Sequence, residues 1–515
     1  MWTSWNGSFK KWTTSSFPAT SYPRCRLRMP ASLSASQFLS GLQCHKRLYL
    51  DIHSPDLATE IDDVLQGRFD MGTEVGILAH GRFPGGALVA DRDLSQALEH
   101  TARLVQDSSV RAIFEATFEF NGVIVKVDIL ERAQNGTWNL IEVKSATDLK
   151  DEYFDDAAIQ AYAVKGAGLQ LSGASVMHLN NKYVYEGGEL DLAQLFTVKN
   201  ITTEVNARQA AIPHRVEAMV AMLASNVVPS IEPDGHCDAP YPCGFFSHCR
   251  KAKPARWVYD LPRITEKKFQ KLVGLGIECI DDIPENFKLS VAQQRMKTNI
   301  EWMSPDLKFE LESVRYPVHH LDFETFMLAI PRYPMTTPYQ KLTFQWSNHI
   351  EMEDGTVRHE KCISTSRKDP DEEIAVTLLE SLGKEGSICV FSNYEKTTLA
   401  GLGEKFPHLK PMIELAIGRL WDLQSIIGKH YYHPAFNGSF SLKVVLPALM
   451  PALKYDDLEI QNGGQASQQY YKIVFGEISA IETESIKSAL LKYCERDTWA
   501  MVELRRVLRQ KSYSA

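Results

Sequence analysis

The chain has 515 residues, 44% of them hydrophobic and 23% charged, with a formal net charge of −8. The composition is that of a folded chain, long enough for roughly two to four domains. No apolar run approaches the roughly 20 residues that cross a membrane, which excludes that class and agrees with a cytoplasmic location. The acidic balance excludes a globally basic nucleic-acid binder, so any contact with phosphates must come from local patches. Nine cysteines are too sparse for a disulfide scaffold.

The first 28 residues contain no acid and are rich in Ser, Thr and basic residues. They lack the continuous apolar core of a secretory signal, and Met29 precedes the first patterned segment. Residues 1–30 are therefore expected to be a disordered extension. The spacing then predicts helices over 34–50, 62–80 and 93–107. The period changes at "AIFEATFEF", "VIVKVDIL" and "TWNLIEVKS", which read as a three-stranded antiparallel meander with "NG" and "QNG" turns. A helix over 154–166 and a strand in "ASVMHLNNKYVY" complete an α/β domain over 31–253. Residues 254–310 read as a small helical connector. Eight Lys or Arg lie between 250 and 271, and "KLVGLGI" resembles the turn of a helix-hairpin-helix. Its basic side reads as a solvated helical face or as a contact to a phosphate backbone. The section from 311 to 515 opens on the strand "YPVHHLDFET". Strands near 340–351 and 387–392 follow, with helices near 371–383, 394–403, 410–428, 441–449 and 483–510. This order predicts a mixed sheet with helices on its faces.

Within "HHLDFETF", Asp322 and Glu324 fall on one face of a strand and repel. They belong either to a solvated edge or to a site where a divalent cation turns repulsion into attraction. More acids follow: Glu395 after the strand "CVFSN", Asp422 in "LWDLQSII", and Asp497 in "KYCERDTW". Tyr493 and Asp497 are four apart and share a helix face. In the front domain, Asp128 is the only acid inside "VIVKVDIL", and "NLIEVKSA" places Glu142 and Lys144 two apart on the next strand. Two carboxylates there suit Mg²⁺ or Mn²⁺, and a lysine can orient water or offset phosphate charge. Cys237, Cys243 and Cys249 cluster in "GHCDAPYPCGFFSHC", in a turn-rich segment suited to metal ligation by thiolates. Cys44 is the best fourth ligand; zinc, and His236 or His248 as substitutes, remain open.

These motifs carry resemblances. Asp128, Glu142 and Lys144, followed by a helix with Gln160 and Tyr162, resemble the RecB-type branch of the PD-(D/E)XK nucleases. "MGTEVGILAHG" resembles that branch's upstream motif, which implies His80 as a further metal ligand. Lys126 stands where that branch has glycine, and Gln160 and Tyr162 are closer together than usual. One cysteine before the core and three after it resemble AddB and the nucleases of CRISPR adaptation. This implies a [4Fe-4S] cluster on Cys44, Cys237, Cys243 and Cys249. The D-x-E, the later acid and the Y-x-x-x-D resemble the DEDD exonucleases of the DnaQ group, which have an RNase H-like fold. That implies Asp322, Glu324 and Asp497 as ligands of Mg²⁺ or Mn²⁺, Glu395 or Asp422 as the fourth acid, and Tyr493 as the group positioning water. The tandem, with "LSASQFLSGLQCHKRLYL" and "NGSFSLKVVLPAL", also resembles the bacterial family called domain of unknown function 2779, over nearly all of 31–508.

The expected architecture is thus a PD-(D/E)XK restriction-endonuclease-like domain, a connector and an RNase H-like domain. The expected function is a two-site metal-dependent nuclease acting on nucleic acid, DNA ahead of RNA, with no membrane partner. The alternative is a nucleic-acid-binding or cluster-based regulatory protein with silent sites.

Overall fold

The computed structural model describes residues 32–514; the expected extension over 1–30 lies outside them. In the front domain, β1 (Ala112–Phe120), β2 (Val123–Arg132) and β3 (Trp138–Lys144) form the antiparallel meander. Asn121 and Gly122, both at positive φ, make the tight turn that an Asn-Gly pair favours. β4 (Leu171–Leu179) runs parallel to β3, and β5 (Phe196–Asn200), which the sequence pattern did not reveal, is antiparallel to β4. Leu33–Ser34 beside β2 and Ala87–Leu88 beside β1 complete seven strands.

The helix expected over 34–50 is two helices, α1 (Ala35–Gln43) and α2 (His45–His53). The chain is extended at Cys44 (φ −163°, ψ 121°), which ends one helix and opens the other. The apolar periodicity runs across this break, and neither Gly nor Pro marks it. α3 (Asp63–His80) and α4 (Leu94–Gln106) follow the expected bounds closely. α5 (Asp151–Gly166) connects β3 to β4 and buries Ala157, Ala158, Ala161 and Ala163 against the sheet.

The segment 254–310 packs into the rear core: Trp257, Phe269, Leu272 and Met296 share one apolar cluster with Phe326, Phe344 and Tyr470. Gly276 does turn at positive φ, but a bridge between Trp257 and Cys279 and a single turn at Ile280–Asp282 follow. The segment's two short helices, Glu266–Gly274 and Val291–Thr298, are thus separated by these features, and the helix-hairpin-helix likeness is limited to the glycine turn. Much of its basic charge is paired internally, in Arg250–Asp260, Lys253–Glu278 and Arg256–Asp281.

The rear sheet contains β6 (Val318–Met327), β7 (Lys341–Glu351), β8 (Val357–Ile363), β9 (Ser387–Val390) and β10 (Leu420–Asp422), in the order β8-β7-β6-β9-β10. The strands on the β7 side are antiparallel and those on the β9 side parallel. The helix expected over 410–428 is interrupted by β10, because Leu420 and Trp421 extend along β9 and Asp422 caps the helix that follows. The other helices around the site are α6 (Tyr394–Lys405), α7 (Leu442–Leu449), α8 (Gly463–Phe475) and α9 (Ala480–Ser514).

Alternation along β6 separates its chemistry. Leu321 and Phe323 join Trp346, Ile374 and Ile388 in an apolar core. Asp322 and Glu324 face the opposite way, toward α9. The same face of β7 bonds that helix: Gln345 Nε2 donates to the Leu490 carbonyl at 2.9 Å, and Ser347 Oγ meets Thr498 Oγ1 at 2.8 Å. The two domains also touch. α3 packs on α8, Tyr339 donates to the Ser145 carbonyl at 2.9 Å, and Ala329 and Ile330 join Val75 and Ala79 in one cluster. Among the described residues, no helix is long and apolar enough to cross a membrane.

Farther along α9, Arg505, 1% exposed, donates to Glu351 at 2.8 Å, and His320 lies 3.3 Å from the same carboxylate. Arg506 Nε lies 3.7 Å from the other oxygen of Glu351, so removing Arg505 leaves that buried carboxylate with its weaker partners only. Arg505→Met is expected to lower the unfolding free energy by about 1.5–3 kcal/mol, read as an earlier denaturation midpoint. A midpoint unchanged from the parent protein would exclude this pair as an anchor of α9.

Candidate functional site

The rear acids converge beneath α9. Asp322 and Glu324 come from β6, opposite Ser347 and Gln345 of β7, and the ladder shifts register between Thr343 and Gln345. Asp497 comes from α9, one turn beyond Tyr493. The hydroxyls of Tyr455 and Tyr493 both donate to its carboxylate. Lys443, from α7, donates to the Tyr493 hydroxyl at 3.1 Å and to the Gln461 carbonyl at 2.5 Å. Glu395 stands in the first turn of α6 and accepts from the Ser392 hydroxyl at 3.3 Å. Its charge bears on Asp322. Asp422 lies behind Glu395 and accepts from the Ser425 amide at 3.0 Å, capping the next helix. Of the two candidates for the fourth acid, Glu395 is thus the one facing the cluster.

Glu324, Glu395 and Asp497 are more than nine-tenths buried. Burial, then the neighbouring charges of Asp497, Glu324 and Glu395, push Asp322 well above the ordinary carboxylate range. Burial and Asp497 do the same to Glu324. Burial raises Asp497 to about 6 against the hydrogen bond from Tyr455, and Glu395 to about 7. Burial lowers Lys443 despite the acids around it. Lys443 and Tyr455 escaped the sequence reading because each is distant in sequence from the acidic motifs. Cys494 sits inside the quoted "KYCERDTW" and escaped because the helical spacing drew attention to Tyr493 and Asp497.

The front cluster forms where β2, β3 and α5 meet. Asp128 accepts from the Val143 amide at 2.7 Å, and burial raises its carboxyl to about 7. Lys144 Nζ lies 2.6 Å from Glu142 and 2.5 Å from Asp156. Burial opposes its charge, but those two carboxylates outweigh that and hold it well above the ordinary lysine value. Gln160 Nε2 donates to Glu142 at 2.6 Å and to Asp156 at 3.1 Å. Asp156 went unseen because its α5 segment, "EYFDDAAIQ", contains several acids and only the fold selects one. Glu115 also went unseen. It faces Asp128 across the β1–β2 ladder at φ 57°, a strained conformation for this residue.

One expected residue, Tyr162, stands apart, and another, His80, lies at the margin of the cluster. Tyr162 is two positions from Gln160, about 200° around a helix; it packs edge-on against Phe120 and accepts from Asn121. His80 ends α3 and stacks on Phe114 at 4.0 Å, and among the described residues it makes no hydrogen bond to the acids.

The four thiols are brought to one place. Cys44 lies at the α1–α2 break, and the Cys243 amide donates to the Cys237 carbonyl at 2.8 Å. Gln43 fastens the two segments, donating to the carbonyls of His236 at 2.7 Å and Tyr241 at 2.8 Å. Burial raises the Cys237 thiol to about 12, and the other three thiols add to the shift. The His236 ring pairs with Asp234. Among the described residues, the trios of ligand atoms within 4.8 Å of one another are Asp322–Glu324–Cys494 and His349–His359–Glu495, with no such trio among the four thiols. A cleft of about 740 Å³ connects the two front features: Lys144, Asp156 and Tyr153 line one side, and Arg47, Pro240 and Tyr241 the other.

Residues 319–441 match the family model described as domain of unknown function DUF2779. The matched stretch includes Asp322, Glu324, Glu395 and Asp422, and is shorter than the 31–508 expected. No curated protein and no solved structure matches the chain.

The raised carboxyls predict a pH dependence. Each has a folded pKa above its unfolded value near 4, so the protonated form favours the fold. That contribution is complete below about pH 4 and is lost as pH rises through about 6 for Asp497 and about 7 for Glu395 and Asp128. Cation-free protein is expected to lose thermal stability across this window. Mg²⁺ or Mn²⁺ should restore several degrees of Tm at neutral pH, and Glu395→Gln should raise the cation-free Tm there. Calorimetry in EDTA against MgCl₂ reads these effects. A Tm at neutral pH indifferent to both cation and substitution would refute them.

Proposed function

We propose that the chain is a two-site metal-dependent nuclease that hydrolyses phosphodiesters, DNA ahead of RNA. The observation that carries this reading is the rear cluster: four carboxylates from β6, α6 and α9, all raised by burial, and Asp322 and Glu324 also by their acidic neighbours. The ammonium groups set against them, Lys443 and Lys341, are themselves weakened by burial. Such a concentration of like charge is what functional sites maintain. An oxygen-rich donor set suits Mg²⁺ or Mn²⁺. These ions, when bound, supply charge neutralisation at the phosphate and activation of water.

In this reading Asp322, Glu324, Glu395 and Asp497 hold the cations. Tyr493 directs its hydroxyl at water, and Lys443 holds that hydroxyl. The sheet order, antiparallel on one side of β6 and parallel on the other, supports the RNase H-like assignment. The placement of acids on the first strand, after the fourth strand and on the last helix supports the DEDD assignment, with Glu395 in place of the customary aspartate. The front domain is read as PD-(D/E)XK. Asp128 and Glu142 hold its cation and Lys144 faces the phosphate, with Asp156 and Gln160 fixing the lysine. The thiols are read as the frame of a [4Fe-4S] cluster. A tetrahedral zinc with bonds of about 2.3 Å draws its sulfurs to roughly 3.8 Å, whereas no three of the thiols lie within 4.8 Å of one another, and a larger inorganic core suits them better. The cluster would then brace the Pro240–Tyr241 wall of the front cleft.

Two measurements test the reading. With Lys144→Ala silencing the front site, Mg²⁺-dependent trimming should proceed on a 5′-blocked labelled strand and stop on a 3′-blocked one. Asp322→Ala should reduce trimming at least about 100-fold, and Lys443→Met about 10-fold. Equal digestion of both strands, or full activity in Asp322→Ala, would overturn the exonuclease assignment. Separately, protein purified without oxygen should be brown and contain iron, and Cys243→Ser should lose both. Zinc without iron would exclude the cluster.

A further inference from the structure

Cys494 is fully buried one residue past Tyr493, with its sulfur 3.7 Å from Asp322 Oδ2. A buried thiol is ordinarily a small apolar filler, and Cys389 of β9 is one, packed in the main rear core. The surroundings of Cys494 differ. Its sulfur, one Asp322 oxygen and one Glu324 oxygen all lie within 4.8 Å of one another. Glu324, 6% exposed, points into this trio, and its carboxylate has no hydrogen-bond or ion-pair partner among the described residues. A carboxyl buried to that degree and unpaired is costly to ionise unless a cation meets it. The three donors sit on β6 and α9, so their spacing is set by packed elements.

We propose that one cation position of the rear site is a mixed oxygen–sulfur centre in which Cys494 is a ligand, and that this position accepts a thiophilic divalent ion of the zinc class beside the Mg²⁺ or Mn²⁺ held by the carboxylates alone. The inference rests on the rear cluster being a cation site, as proposed above, and concerns which ion it accepts. Mg²⁺ prefers oxygen in octahedral geometry and leaves sulfur aside. Zinc bonds sulfur at about 2.3 Å and oxygen at about 2.1 Å, so a tetrahedral site separates the two donors by roughly 3.6 Å. The observed sulfur–oxygen distance of 3.7 Å fits that geometry. Binding breaks the S–H bond, which now points at Asp322, and forms the metal–sulfur bond; the proton leaves to solvent and no oxidation state changes.

Cd²⁺ is the probe, because its bond to thiolate absorbs in the ultraviolet and its bonds to carboxylates do not. The full chain, purified without oxygen, is titrated with Cd²⁺ beside Cys494→Ser and Glu324→Gln. Cys494→Ser is expected to lose one thiolate's share of the absorbance and to bind Cd²⁺ at least tenfold more weakly. Glu324→Gln, which leaves the thiol in place, should weaken binding similarly and keep the band at saturation. Absorbance identical in parent and Cys494→Ser, or Cd²⁺ affinity unchanged in Glu324→Gln, would overturn the inference. Mg²⁺-dependent trimming without a Cys494-dependent band leaves the nuclease reading standing and removes this one. A Cys494-dependent band without trimming does the reverse.

Discussion

The constraint on which the rear domain depends is the burial of like charge between β6 and α9. Period-two alternation places Leu321 and Phe323 in an apolar core, which obliges Asp322 and Glu324 to face the helix. α9 then delivers Asp497, Tyr493 and Cys494 to the same face. An apolar seam there would pack more favourably, since unpaired carboxylates are costly to bury. The fold tolerates the repulsion because α9 is anchored on both sides of it, through Leu490 and Thr498 to β7 and through Arg505 to Glu351.

The front cluster handles charge differently. Lys144 lies between Glu142 and Asp156, and Gln160 bonds both acids, so this network is largely neutralised from within. Asp128 and Glu115 remain outside that pairing, one against a backbone amide and the other in a strained conformation. A cation arriving at the front would compete with a lysine already in place, whereas one arriving at the rear would meet an unpartnered Glu324. The two clusters therefore differ in how much of their charge is neutralised before any ligand arrives.

Much of this was legible in the sequence where chemistry and local period coincide. The meander of β1 to β3 could be read because β-branched runs are punctuated by "NG" and "QNG". Asp322 and Glu324 could be read because their spacing matches a strand, and Tyr493 with Asp497 because theirs matches a helix. The break at Cys44 was hidden because the apolar period continues through it, and the turn is held by tertiary bonds from Gln43. The split of 410–428 was hidden because Leu420 and Trp421 fit a helix by composition and become a strand only beside β9. Lys443 lies inside "NGSFSLKVVLPAL" and Asp156 on the helix of Gln160 and Tyr162, but no local spacing ties either to an acid, and Tyr455 lies in no motif, so packing identifies all three. Tyr162 shows the reverse: it sits in a motif-like position, and a helical half-turn carries it elsewhere.

The domain contact adds a geometric relation between the clusters. α3 spans 18 residues, about 27 Å at 1.5 Å per residue. Its start packs on the start of α8, where Val64 lies so near Gly464 that a methyl group there would overlap it. A methyl group on the neighbouring Gly463 would stand 3.6 Å from Glu324 Oε2. The small residue at Gly464 therefore lets α8 approach α3, while Gly463 leaves room for a methyl group beside the rear acids. The other end of α3 places His80 on Phe114, the residue before Glu115 in β1. One helix thus runs from the margin of the rear cluster to the margin of the front one. Its C-terminal half is fixed by Val75 and Ala79 in the cluster that also buries Ala329 and Ile330 of the rear domain. Sliding one domain over the other would expose that apolar cluster and break the Tyr339–Ser145 bond, so the spacing of the two acid clusters is set by packing along α3.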